Sequence, residues 1–139
     1  KADSLGLRST QFSTPTGLEA EGNFSTARDL VSLAAFILKE HETLFMVSSQ
    51  PSVVILSEND RLHHLAFNTN ELLNSFGEIE NFKIIGGKTG YTEEAGGCIL
   101  LVLRDAEGRY FISLLLGARD SESRFMEMRK IIDEVKSGF

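Results

Sequence analysis

Apolar residues recur at Ala27, Leu30, Val31, Ala34, Ile37 and Leu38, a spacing of threes and fours that lays one stripe along a helix. Ser25 or Thr26 stands where a capping hydroxyl belongs, so the pattern predicts a helix from there to the charged Lys39-Glu40-His41-Glu42. Pro51 breaks the stretch that follows. Two short runs, SVVILS (52–57) and LHHLAF (62–67), flank the polar ENDR and predict a strand hairpin. NTNELLNSFGEIEN (68–81) reads as a loop with one helical turn, and FKIIGG (82–87) as a short strand. The clearest hairpin joins CILLVLR (98–104) to RYFISLLLG (109–117) through DAEG. Both of its strands are apolar enough to be covered. From Ser121, the set Phe125, Met128, Ile131, Ile132 and Val135 predicts a closing amphipathic helix. Residues 1–24 are polar and punctuated by Pro15, Gly17 and Gly22. Helices and an antiparallel meander in separate blocks predict one α+β domain over 1–139.

Composition narrows the function. A net charge of -6 argues against general binding of nucleic acid or an anionic membrane. The one cysteine, Cys98, falls in an apolar run and is expected to be a buried core thiol. His41, His63 and His64 have neither metal-ligand spacing nor an acidic partner, and they receive no role. The apolar runs are too short to span a bilayer. The chain opens KADSLGLRST without a leader, as would a segment processed or cut from something longer.

The unusual stretch is FKIIGGKTGYTEEAGG, residues 82–97. A phosphate loop would need glycine five residues before Gly87, where Phe82 stands, and a helix afterwards, which GYTEEAGG does not favour. A second reading is a glycine-rich turn with an exposed lysine, and on the KTG string alone it is the favoured one, since so short a motif often matches by chance. A third is a strand edge that holds an acylating substrate. There Lys88 supplies positive charge and the Thr89 hydroxyl bonds a carboxylate. Gly90 gives clearance for a ligand, and a backbone N–H just beyond faces a developing oxyanion.

Several blocks in one order resemble a known family, the serine D-alanyl-D-alanine carboxypeptidases, or low-molecular-weight penicillin-binding proteins. They are KADSLGLRSTQFSTPTGLEAEGNFSTARDL, then NTNELL, then GGKTGYTEEAGGCILL, then LLLGARDSESRF. The resemblance implies the C-terminal portion of a catalytic domain with a β-lactamase/transpeptidase-like fold, its N-terminal portion missing. It implies hydrolysis of the terminal D-alanine of peptidoglycan stem peptides through an acyl-serine, β-lactams as ligands, no cofactor, and an exported protein of the cell envelope. Lys88 would supply charge and proton networking. Thr89 would bind the substrate carboxylate, Gly90 would leave room, and the Tyr91 N–H would be one oxyanion donor. Tyr91 stands where some members have histidine. Arg124 aligns with an arginine near the substrate carboxylate, and a surface salt bridge is its alternative.

The family's Ser-x-x-Lys nucleophile motif does not occur in these residues; the nearest strings are Ser25 to Arg28 and Ser121 to Arg124. Arginine does not readily release its proton near neutral pH. Ser57-Glu58-Asn59 matches the middle Ser-x-Asn motif in letters only, and its place between two strands reads as a turn. The chain alone is therefore expected to be inactive. Its last strand, RYFISLLLG, is expected to be an edge open to a second copy or to the missing N-terminal half. Rival readings are a non-catalytic binding domain of the same fold and a related β-lactamase or endopeptidase.

Overall fold

The computed structural model describes residues 1–18, 20–75 and 82–138. Helix α1 spans Ala27–Glu40, and the Thr26 hydroxyl caps it by accepting from the Asp29 N–H at 3.2 Å. The Asp29 carboxylate turns the other way. It takes the Ser9 N–H at 2.9 Å and the Thr10 hydroxyl at 2.7 Å, which ties the irregular N-terminal segment to the first turn of α1. Helix α2, Thr43–Ser48, was not expected; six residues are too few to write a helical period. The hairpin β1 (Ser52–Leu56) and β2 (Leu62–Phe67) forms as predicted, with Val53 opposite Ala66, and Glu58 and Asn59 lie in its turn. A single turn, α3 (Leu72–Ser75), supplies the helical piece expected after NTNE, and the remainder of that stretch, 76–81, lies outside the described residues.

Three long elements complete the sheet. Strand β3 runs from Phe82 to Thr92, β4 from Gly96 to Asp105 and β5 from Tyr110 to Ala118, antiparallel and in that spatial order. The strand that begins at FKIIGG continues through the GKTG stretch, as the strand-edge reading expects, and Lys88, Thr89 and Gly90 pair residue by residue with β4. Asp105 closes the β4–β5 turn by accepting from the Arg109 N–H at 2.7 Å. Burial pushes its carboxyl pKa up, but the Arg109 guanidinium and N–H bonds outweigh this and hold it below the ordinary value.

Strand β4 is the centre of the molecule. Its odd residues Ile99, Leu101 and Leu103 pack on Leu72, Ile84 and the α4 residues Phe125, Met128 and Ile132, where α4 spans Ser123–Ser137. Its even residues Leu100 and Val102 pack the other way, on Ala34, Ile37, Leu38 and Phe45 of α1 and α2. A strand covered on both faces needs a continuous apolar run rather than an alternating one. Truncating Leu101, which has no exposed surface, would cost about 2–5 kcal/mol.

Cys98 departs from expectation. It is half-buried, not core, and its Sγ lies 3.7 Å from the Ala95 carbonyl oxygen. Cys98 lies opposite Gly90, which carries no side chain to cover it. Strand β5 pairs with β4 alone among the described residues, so its other side is a sheet edge, as expected.

Candidate functional site

The outer edge of β3 is built by glycines and clamped by α2. A Cβ on Gly86 would overlap the Phe45 backbone, and one on Gly87 would overlap the Leu100 carbonyl. Glycine at both lets α2 and β4 close on the strand. The Ser48 hydroxyl at the end of α2 then accepts from the Gly87 N–H at 3.1 Å and donates to the Phe45 carbonyl at 3.0 Å. In an antiparallel strand the polar groups of alternate residues face the same edge. The register is regular from Gly86 onward, so the backbone groups of Thr89 and Tyr91 share the outer edge with that Gly87 N–H.

Gly90 is different. The nearest atom to a Cβ built there is the Cys98 Cβ at 3.9 Å, an ordinary van der Waals distance, and its backbone is not left-handed. The fold has no need of glycine at this position. The space in front of it is the one place in the GGKTG stretch where a missing side chain leaves room rather than relieving a clash.

The polar side chains at this end of β3 come from three elements. Thr89 is only 6 % exposed, and its hydroxyl lies 2.5 Å from the hydroxyl of Thr69. Arg124, in the first turn of α4, is 8 % exposed and donates from Nη1 to the Gly90 carbonyl at 2.9 Å. Its Nε has no hydrogen-bond partner, and no carboxylate among the described residues pairs with it. The surface salt bridge weighed for Arg124 is not what the structure contains. A buried guanidinium without a counter-charge is costly unless something anionic offsets it. Lys88 leaves β3 on the opposite face from Thr89; it is exposed, and its Nζ folds back to the Thr89 carbonyl.

Arg124 is held in place by the turn that leads into its helix. The Asp120 carboxylate accepts from the Ser123 N–H at 2.7 Å and the Glu122 N–H at 3.1 Å. The Ser123 backbone and hydroxyl bonds, with Arg119 beside it, hold the Asp120 pKa down at about 2. Gly97 lets this corner approach the sheet, since a Cβ there would overlap the Asp120 carbonyl.

The structure therefore brings Thr89, Gly90 and Arg124 together across 34 residues of sequence, with Lys88 and the Tyr91 backbone on the same strand. Sequence reasoning missed Ser48, Asn68 and Thr69. The NTN string of residues 68–70 was the available signal. The Asn68 Nδ2 bonds the Ser48 and Gln50 carbonyls at 2.8 and 3.0 Å and so sets Thr69 against β3. His63 and His64 sit on exposed β2, with Nδ1 atoms 2.7 Å apart.

The sequence pattern of the family described as D-alanyl-D-alanine carboxypeptidase matches residues 1–120, ending just before Arg124, whose position rests on the geometry above. The carboxypeptidase DacF of Bacillus subtilis is 32% identical over 133 residues, covering 96% of this chain and 32% of that protein. A D-alanyl-D-alanine endopeptidase of Pseudomonas aeruginosa is 34% identical over 122 residues, 79% of this chain and 37% of its own length. The crystal structure of penicillin binding protein 5 from Haemophilus influenzae superposes with a TM-score of 0.79 at 26% identity, over 94% of this chain and 35% of that one. The carboxypeptidase DacD of Francisella tularensis shares the fold, with a TM-score of 0.75 at 20% identity over 94% of this chain and 41% of that one. The chain spans about a third of the length of the curated relatives it matches. With the family pattern matched over most of the sequence and an α+β fold shared with solved relatives, the chain belongs to the D-alanyl-D-alanine carboxypeptidase family.

Proposed function

We propose that these 139 residues are the C-terminal part of a serine D-alanyl-D-alanine carboxypeptidase domain and carry its substrate-cradling strand. The observation that supports this most is the buried Arg124 guanidinium, without a carboxylate partner among the described residues, held on the Gly90 carbonyl next to the buried Thr89, with open space where a Gly90 side chain would stand. A peptide ending in D-Ala-D-Ala lies along the outer edge of β3. Its terminal carboxylate meets the Thr89 hydroxyl and the Arg124 guanidinium, both of which suit an anion. The Tyr91 N–H on that edge donates to the oxyanion that forms at the penultimate carbonyl. Lys88 contributes positive charge and proton networking at the same edge.

The nucleophilic serine and its lysine are supplied by sequence outside these residues, which contain no Ser-x-x-Lys. The serine oxygen attacks the penultimate carbonyl, the terminal D-alanine leaves, and water cleaves the acyl-serine. β-Lactams, which present a carboxylate beside a reactive amide, occupy the same edge. Peptidoglycan is the substrate polymer, so the working place is the cell envelope, reached by export. The open edge of β5 receives a strand from the rest of the protein or from a second copy. Endopeptidase action on the same kind of bond is the second reading, favoured by the P. aeruginosa relative. Fluorescent penicillin tests the proposal. The gene product that contains this chain should form a covalent adduct, and the 139 residues alone should form none. An adduct on neither would refute the enzymatic reading and leave the non-catalytic binding domain.

A further inference from the structure

Thr69 and Thr89 place two hydroxyls 2.5 Å apart, one on an exposed residue and one on a buried residue. Thr69 does not reach this position by chance of a mobile loop. On one side of it the Asn68 side chain bonds the carbonyls of Ser48 and Gln50 and accepts from the Asn70 N–H at 2.9 Å. On the other side the Asn70 side chain, on a residue 2 % exposed, accepts from the N–H of Leu72, which is wholly buried. The backbone carrying Thr69 is thus fastened to α2 and to the core before its own side chain makes any bond.

Each hydroxyl has one proton and can also accept. A carboxylate only accepts. If Thr89 donates to a carboxylate, its proton is committed, and it can meet Thr69 only as an acceptor. If instead Thr89 donates to Thr69, it presents lone pairs to the ligand and repels it. The order of donors in the pair therefore decides whether Thr89 can bind an anion at all.

We propose that Thr69 is a positioning residue, donating its hydroxyl proton to Thr89 Oγ1 so that the single Thr89 proton points at the carboxylate of the substrate or β-lactam. This rests on the carboxypeptidase reading, in which a carboxylate binds at Thr89. A donor behind Thr89 also polarises its O–H and strengthens the bond to the anion. No proton changes owner in this step.

The test uses the gene product that contains this chain. Its second-order acylation rate is measured with fluorescent penicillin, and kcat and KM with a stem peptide ending in D-Ala-D-Ala. Thr69→Val, which keeps the shape and removes the hydroxyl, should slow acylation about 3- to 10-fold, through weaker binding and a raised KM, without lowering the denaturation midpoint. Thr69→Ser should keep most of the rate. In a Thr89→Val background, Thr69→Val should add no further loss. A penicillin ester lacking the free carboxylate should react equally with wild type and Thr69→Val. Wild-type rates in Thr69→Val, additive losses in the double variant, or equal damage from Thr69→Ser with a lowered denaturation midpoint would each overturn the proposal. A wild-type gene product that takes no label would overturn the carboxypeptidase reading and this inference with it, an outcome distinct from a silent Thr69 variant.

Discussion

Alanine at Gly90 and alanine at Gly86 should behave in opposite ways, although the two glycines lie four positions apart on one strand. At Gly90 the added methyl meets nothing closer than the Cys98 Cβ at 3.9 Å, and the backbone suits any L-residue. Removing glycine from such a site restricts the unfolded chain and should stabilise by about 0.4–1 kcal/mol. At Gly86 the methyl would overlap the Phe45 carbonyl and Cα and the Ser48 hydroxyl. Helix α2 must then retreat. Overpacking of this kind costs about 1–3 kcal/mol, and the Ser48–Gly87 hydrogen bond lost with the retreat adds about 1 kcal/mol. The expected total for Gly86→Ala is a loss of roughly 2–4 kcal/mol. Ligand binding should divide the other way. The Gly90 methyl projects into the room a substrate backbone would use, so Gly90→Ala should lower penicillin acylation at least tenfold while folding normally. The assays are urea denaturation and acylation kinetics on the gene product that contains the chain. A Gly90→Ala variant as unstable as Gly86→Ala, or one that is labelled at the wild-type rate, would refute the reasoning.

Asp120 carries a pH expectation. Its pKa falls from 3.8 to about 2 on folding, so the Asp120 turn leading into α4 contributes stability above about pH 3.8 that is lost as pH falls toward 2. Amide exchange protection in the first turn of α4 should weaken over that window, and Asp120→Asn should flatten the response. Replacing Arg124 by glutamine should cut acylation by about tenfold or more yet leave stability unchanged or raised, because a buried charge without a counter-charge is removed. Global destabilisation instead would assign Arg124 a purely structural role. The isolated 139 residues should associate through the Tyr110–Ala118 edge; light scattering on a size-exclusion column at micromolar concentration should give a mass above 15.4 kDa. A stable monomer would contradict this.

Much of the architecture was legible because the physics behind it is local. The stripe from Ala27 to Leu38 and the runs on either side of DAEG each announce one period and one kind of burial. Helix α2 was invisible: TLFMVS is a single turn and a half, held by its contact with β3 rather than by its own pattern. The strand through GKTG was legible from the chemistry of its motif rather than from its pattern, because glycines weaken strand signals; two of them are there to admit neighbours. The site residues on β3 are contiguous and could be read from one string. Arg124 needed the family resemblance. Thr69 needed coordinates, since the bond that gives it meaning joins residues 20 apart. Cys98 misled because an apolar run says nothing of what stands opposite each residue.

The central claim is that this strand serves an acyl-transfer site completed by a serine outside these residues. Intact-protein mass spectrometry of the gene product after incubation with penicillin tests it most directly. The account predicts a single added penicilloyl group, mapped by proteolysis to a serine outside residues 1–139 and lost when Thr89 and Arg124 are both replaced by alanine. A protein that acquires no added mass, or one acylated within the 139 residues themselves, would contradict it.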